Sequence, residues 1–221
     1  MSTTGARAVS WTERAAERSP SVQRSRSRSV EQARQIVEAA RRLLAADDSG
    51  FTTQELAKEA GVALQTFYRY FAGKDELLLA VLEESIAEGC ARMQERGAAL
   101  DQPLDRLRLY VTGAIEALAD EGAGSARFIT AEHYRLHQIF PDELAAAARP
   151  FADMLVPEIE AAVAAGVLAS GDIEHDAWFV TQLSMATFHH FAFATPDEPI
   201  DVVADQLWRF CLRALGGSAV S

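Results

Sequence analysis

An all-α fold is predicted, on three observations. Apolar residues recur with the 3.6-residue period of a helix in one segment after another. No segment shows the strict apolar-polar alternation of a half-buried strand. Clusters of Gly, Pro and Asp punctuate the periodic segments at helical lengths. With 221 residues, 49% hydrophobic and 24% charged, the chain can bury a sizeable core. The reading is of a small N-terminal three-helix unit containing a helix-turn-helix (30–79), followed by a larger helical bundle (80–221).

Residues 1–29 are rich in Ser, Arg, Ala and Thr, run through Gln23-Arg24-Ser25-Arg26-Ser27-Arg28-Ser29, and hold little large apolar material besides Trp11. That composition predicts a disordered arm. From Val30 to Asp47, Ile36, Ala40 and Leu43 recur at i, i+4 and i+7 with Val37 and Leu44 alongside, as in an amphipathic helix. After Asp48-Ser49-Gly50, Thr52 and Glu55 have the spacing of a capping box, so a second helix starts there and stops at Gly61, which tolerates the left-handed conformation. A third helix is expected from Ala63 to Phe71. The fourth follows Gly73, with Asp75 and Glu76 placed to favour its positive end. Two short helices around a Gly-containing turn make a helix-turn-helix.

Further helices are expected over Lys74–Arg96, Pro103–Asp120, Ser125–Gln138, Asp142–Ala165, Ile173–Thr195 and Ile200–Leu215. Pro150 and Pro157 are expected to break or kink the one that contains them.

The net charge of -11 argues at first against nucleic acid, since an anionic chain is repelled by phosphate. Its distribution reverses that inference. Residues 1–79 hold 12 Lys and Arg against 10 Asp and Glu, a balance of +2, whereas 80–221 hold 9 against 22, or -13. Both lysines, Lys58 and Lys74, belong to the helix-turn-helix and the turn after it. Six arginines fall in the first 29 residues, where they could enter a minor groove or add salt-dependent affinity.

The functional signal is the run Thr52-Thr53-Gln54-Glu55-Leu56-Ala57-Lys58-Glu59-Ala60-Gly61-Val62-Ala63-Leu64-Gln65-Thr66-Phe67-Tyr68-Arg69-Tyr70-Phe71, followed by Lys74 and Glu76-Leu77-Leu78. It resembles the DNA-binding domain of TetR-family transcriptional regulators, closely over about 60 residues and loosely to the end of the chain. In the third helix Leu64, Phe67 and Phe71 share one face and can dock it, while Gln65 and Arg69 project elsewhere. Gln suits adenine and Arg suits guanine in the major groove. The resemblance implies that Thr66 and Tyr68 face DNA; Thr52, Thr53, Ala63, Leu64, Tyr70 and Lys74 complete the expected contact set, Lys74 as a point charge toward phosphate. One departure is Ala63, where the family usually has a capping Ser or Thr.

The same resemblance implies a C-terminal domain that dimerises and binds a small-molecule effector which releases a palindromic operator. Candidate pocket residues are Tyr110, Phe128, Ile129, His133, Tyr134, His137, Phe140, Phe151, Met154, Trp178, Met185, Phe188 and His189, which favour an apolar or aromatic effector. Candidate dimer contacts on the last two helices are Ala177, Gln182, Ala186, Phe193, Val203, Leu207, Phe210 and Ala214. A homodimer is expected because two recognition helices about 34 to 36 Å apart read two half-sites.

His133 and His137 have a zinc-compatible spacing, but the His-Glu-x-x-His order is missing and no third ligand is specified, so neither a metal nor a metal-dependent enzyme is expected. No phosphate-binding glycine loop or nucleophile elbow is present, and no cofactor is expected. Cys90 and Cys211 are too few for a disulfide scaffold. With no apolar run of signal-peptide or membrane-span length, the expected setting is cytoplasmic, away from the membrane.

Overall fold

The computed structural model describes residues 20–46, 50–121, 123–194 and 197–217. These form nine helices and, among the described residues, no strand. They are α1 (Pro20–Ala46), α2 (Thr53–Glu59), α3 (Leu64–Tyr70), α4 (Lys74–Gly97), α5 (Pro103–Glu121), α6 (Ala123–His137), α7 (Pro141–Ala164), α8 (Ile173–Phe193) and α9 (Ile200–Ala214). No helix among the described residues is long and apolar enough to cross a membrane.

Two apolar cores organise them. The first gathers Ile36, Val37, Ala40 and Leu44 of α1, Leu56 of α2, Phe67 of α3 and Leu77, Leu78, Val81 and Leu82 of α4. Phe67 is fully buried and stacks on Phe71, 6.0 Å between ring centroids, so α3 is held by one side only. The second core packs α5 against α7 and α9, with Leu107, Val111, Ile115, Leu155, Ile159 and Trp208 at its centre. Gly97 at the end of α4 allows α5 to approach: a Cβ there would stand 2.6 Å from the Tyr110 hydroxyl.

Three expectations need correction. The helix expected from Val30 begins at Pro20, so 20–29 are helical rather than disordered. Pro fits a first turn, and a helix already anchored by its packed part extends at one hydrogen bond per added residue. Residues 1–19 of the expected arm lie outside the described residues. Pro150 and Pro157 do not break α7, which runs unbroken from Pro141 to Ala164. Seven residues apart, both face solvent, where water can take the carbonyls that lose an N–H partner.

The third concerns the boundary at residue 79. It falls inside α4, and Leu136 of α6 and Leu144 of α7 are buried in the first core with α1 and α4. Phe128, Ile129 and Phe140 pack against the same cluster. The two units thus share helices and side chains.

Candidate functional site: an exposed recognition helix and a buried cavity

The start of α2 is capped as its sequence specifies. Glu55 N–H donates to Thr52 Oγ1 at 3.2 Å, and the Thr52 N–H donates to Glu55 Oε2 at 2.8 Å. After α2 the chain turns through Gly61, whose φ of +65° is the left-handed conformation that glycine adopts without penalty. α3 then begins at Ala63, an extended N-cap that makes no side-chain hydrogen bond, as expected from its missing hydroxyl.

Gln65, Tyr68 and Arg69 are exposed on α3, and Thr66 is half-buried beside them. Leu64 belongs to this surface too; at 36% exposure it does not dock the helix as its spacing implied, and Phe67 and Phe71 carry that role. Thr52 is exposed and Thr53 half-buried at the start of α2. Arg69 is not free: its Nη2 donates to Gln32 Oε1 on α1 at 3.0 Å, and its guanidinium lies 5.0 Å from the Tyr70 ring centroid. Tyr70 donates to the same Gln32 oxygen at 3.0 Å. Gln32, one turn before Ile36, therefore orients the base-reading candidate, a role invisible without knowing that α1 crosses α3. Lys74 departs from expectation as well. Its Nζ donates to the Phe51 carbonyl at 2.9 Å and sits 4.6 Å from the Phe51 ring centroid, so it braces the chain entering α2.

A cavity of about 130 Å³ lies among α4, α5, α6, α7 and α8. Six expected residues line it: Ile129, His133, Phe151, Met185, Phe188 and His189. Seven do not. Tyr110 and Met154 are buried in the second core, Phe128 and Phe140 pack on the first, and Tyr134, His137 and Trp178 are exposed. The wall is completed by residues that sequence reading passed over, among them Leu82, Ile86, Cys90 and Met93 of α4, Ala114 and Ala117 of α5, and Thr181 and Ser184 of α8. Helical spacing alone could have found Ser184, four residues before Phe188.

Among the described residues, no histidine belongs to a group of three or more side chains placed to share a metal ion. His133 and His137 stack with centroids 6.4 Å apart, and the nearer neighbour of His133 is His189, at 4.5 Å. Burial pushes His189 down to about 4, with the charge of His133 adding to the effect, and burial lowers His133 likewise. Both are neutral bases in an apolar wall at neutral pH. Burial also raises the thiols of Cys90 and Cys211 to about 11. Elsewhere, Glu38, Glu84 and Glu88 form an exposed-to-half-buried acidic cluster, but Glu88 takes a two-pronged bond from Arg41, at 2.9 and 2.7 Å.

Among the dimer candidates, Gln182, Ala186 and Phe193 of α8 and Phe210 and Ala214 of α9 are exposed. Ala177, Val203 and Leu207 are instead buried in the second core. Trp178 and Phe179 add 50% and 60% exposed rings to the outer side of α8.

Residues 36–81 match the family model of the bacterial regulatory proteins, tetR family. An uncharacterized HTH-type transcriptional regulator of Haemophilus influenzae is 28% identical over 124 residues, which cover 51% of this chain and 60% of that relative. The crystal structure of a bacterial regulatory protein in the tetR family from Rhodococcus RHA1 aligns with a TM-score of 0.60 at 26% identity, over 86% of this chain and 98% of that one. The transcriptional regulator FadR from Bacillus subtilis, solved in complex with stearoyl-CoA, aligns with a TM-score of 0.64 over 84% of this chain and 98% of that one; at 18% identity it speaks to the fold alone. The helix-turn-helix thus lies inside the segment that matches the tetR-family model, and the helical architecture of the remainder is similar to that of a solved bacterial regulatory protein of the tetR family.

Proposed function

We propose that this chain is a homodimeric repressor that holds a palindromic operator through α3 and lets it go when a small apolar molecule fills the cavity between α4 and α8. It is not an enzyme. The observation that carries the reading is the double attachment of α6. From α6, Ile129 and His133 line the cavity, while Leu136 is buried in the helix-turn-helix core and Arg135 binds Asp75 at 2.8 Å in the first turn of α4. A ligand that displaces α6 must therefore disturb the seat of α3, and it shifts the DNA-binding equilibrium by its differential affinity for the two arrangements.

The base-reading roles fall to Gln65 and Arg69, with Thr66, Tyr68 and the half-buried Tyr70 toward the backbone and Lys74 as a brace. The exposed stripe of Phe179, Gln182, Ala186 and Phe193, at i, i+3, i+7 and i+14 on α8, together with Phe210 on α9, supports a dimer contact. That this fold can take up a molecule with a long apolar chain is supported by the Bacillus subtilis FadR structure, solved in complex with stearoyl-CoA. The test is selection of duplexes from a random pool by the purified protein. A two-half-site palindrome is expected, with Arg69→Ala losing about 1 to 3 kcal/mol on it and less on random DNA. A pool without any enriched palindrome sinks the reading, as does a monomer by sedimentation at operator-binding concentrations.

A further inference from the structure

The cavity wall is apolar except at a few points, and two of these have no hydrogen-bond partner among the described residues. Ser184 is 1% exposed and its Oγ is unpartnered; His189 is 6% exposed and its Nε2 is unpartnered. Thr181, one turn before Ser184 in the same wall, shows the contrast: its Oγ1 donates to the Ala177 carbonyl at 2.8 Å. Buried polar atoms in folded proteins nearly always find a partner; among the described residues three side-chain atoms do not, Thr130 Oγ1, Ser184 Oγ and His189 Nε2, and the last two belong to residues that line one cavity. At about 130 Å³ it offers many times the ~10–15 Å³ that a single water needs.

Charge decides the class of ligand. No Lys, Arg, Asp or Glu is among the described residues lining the cavity. The groups that could acquire charge there are His133 and His189, 4.5 Å apart between ring centroids, and Cys90; burial holds both imidazoles neutral and raises the thiol to about 11. An anionic ligand buried in this wall would lack a counter-ion, and a cationic one would lack a carboxylate. A neutral hydroxyl meets no such obstacle, since it can both donate and accept, and so suits a serine hydroxyl or an imidazole nitrogen in either tautomer. Phe151 and Phe188 supply flat apolar surface for the remainder of the molecule.

Resting on the reading of this cavity as the effector site, we infer that the effector is an uncharged, largely apolar, ring-bearing alcohol or phenol whose hydroxyl groups are taken by Ser184 Oγ and His189 Nε2. The headgroup of an acyl-CoA, with its phosphates, does not belong in this wall.

Calorimetry on the full chain near neutral pH, with 2-naphthol, naphthalene, 2-naphthoate and lauroyl-CoA as probes, tests this. Expected is binding of 2-naphthol about tenfold tighter than of naphthalene, the worth of a neutral hydrogen bond or two, with 2-naphthoate weaker still. Ser184→Ala with His189→Phe should bring 2-naphthol down to the level of naphthalene without weakening naphthalene. Ser184→Ala alone should do so in part, and a thermal melt establishes that each variant is folded. Tighter binding of 2-naphthoate or lauroyl-CoA than of 2-naphthol overturns the inference. So does a hydroxyl preference that survives the double substitution, or no binding of any probe. Release from selected DNA, scored in parallel, separates the two readings. Binding of 2-naphthol without release would sink the effector role of the cavity and leave the ligand class standing; release by lauroyl-CoA alone would do the reverse.

Discussion

The guanidinium of Arg135, on α6, lies 2.8 Å from the carboxylate of Asp75, in the first turn of α4. The same guanidinium also binds Glu132, one turn back on α6, at 2.6 Å. Two turns of different helices are thus pinned where the cavity-lining helix meets the helix-turn-helix. Both carboxylates hold Arg135 firmly in its charged state.

Breaking this pin should change coupling more than stability. Both partners are about two-fifths exposed, so Asp75→Asn should cost no more than about 1 kcal/mol of unfolding free energy. The ratio of operator affinities with and without effector should fall severalfold, and the charge swap Asp75→Arg with Arg135→Asp should recover part of it. An unchanged ratio in Asp75→Asn would take α6 out of the signalling route.

Lys74 should behave as a brace for α2. Removing its bond to the Phe51 carbonyl and its place over the Phe51 ring should lower stability by about 1 kcal/mol, read from denaturant midpoints. A drop of about one unit in the salt slope of DNA binding at unchanged stability would show instead that Lys74 leaves Phe51 for a phosphate.

Ala63→Ser should stabilise. The residue already has the extended backbone of an N-cap, φ -69° and ψ 147°, and lacks only the hydroxyl. A gain of about 1 kcal/mol is expected, seen as a higher melting temperature, and DNA affinity should hold or rise. A lower melting temperature would mean that the hydroxyl cannot reach the free N–H groups of α3.

His189 should make the protein acid-sensitive. Its conjugate acid is pushed down to about 4 in the fold, against 6.5 in an open chain. Above 6.5 neither state holds the proton, and nothing is lost. As pH falls from 6.5 toward 4 the unfolded chain takes up a proton that the folded chain refuses, so stability declines. At pH 5 the loss is about 2 kcal/mol, with His133 adding in the same direction. Melts at pH 7 and 5 on the wild type and on His189→Phe measure it; an equal acid loss in both would place the effect elsewhere.

The helix-turn-helix was legible because its signals are local. The Thr52–Glu55 box, the left-handed Gly61 and the docking rings of Phe67 and Phe71 each act within a few residues, so spacing suffices to read them. Helix ends were legible for the same reason, most falling within two residues of those observed. The start of α1 was not, because Arg24 to Ser29 make no apolar pattern and follow only by extension from the packed part of the helix.

What the sequence determined by itself was the class of fold, the DNA-binding motif and the division of charge between its ends. What only the tertiary structure decided was the use of each apolar face. Tyr110, Trp178 and Met185 lie on equally plausible helical faces, yet one is sealed against Gly97, one is exposed and one lines the cavity. Periodicity reports that a side chain points away from water, or toward it, along its own helix. Which helix lies opposite, and whether that neighbour fills the space or leaves a cavity, depends on residues tens of positions away, and those meet only when the chain has folded.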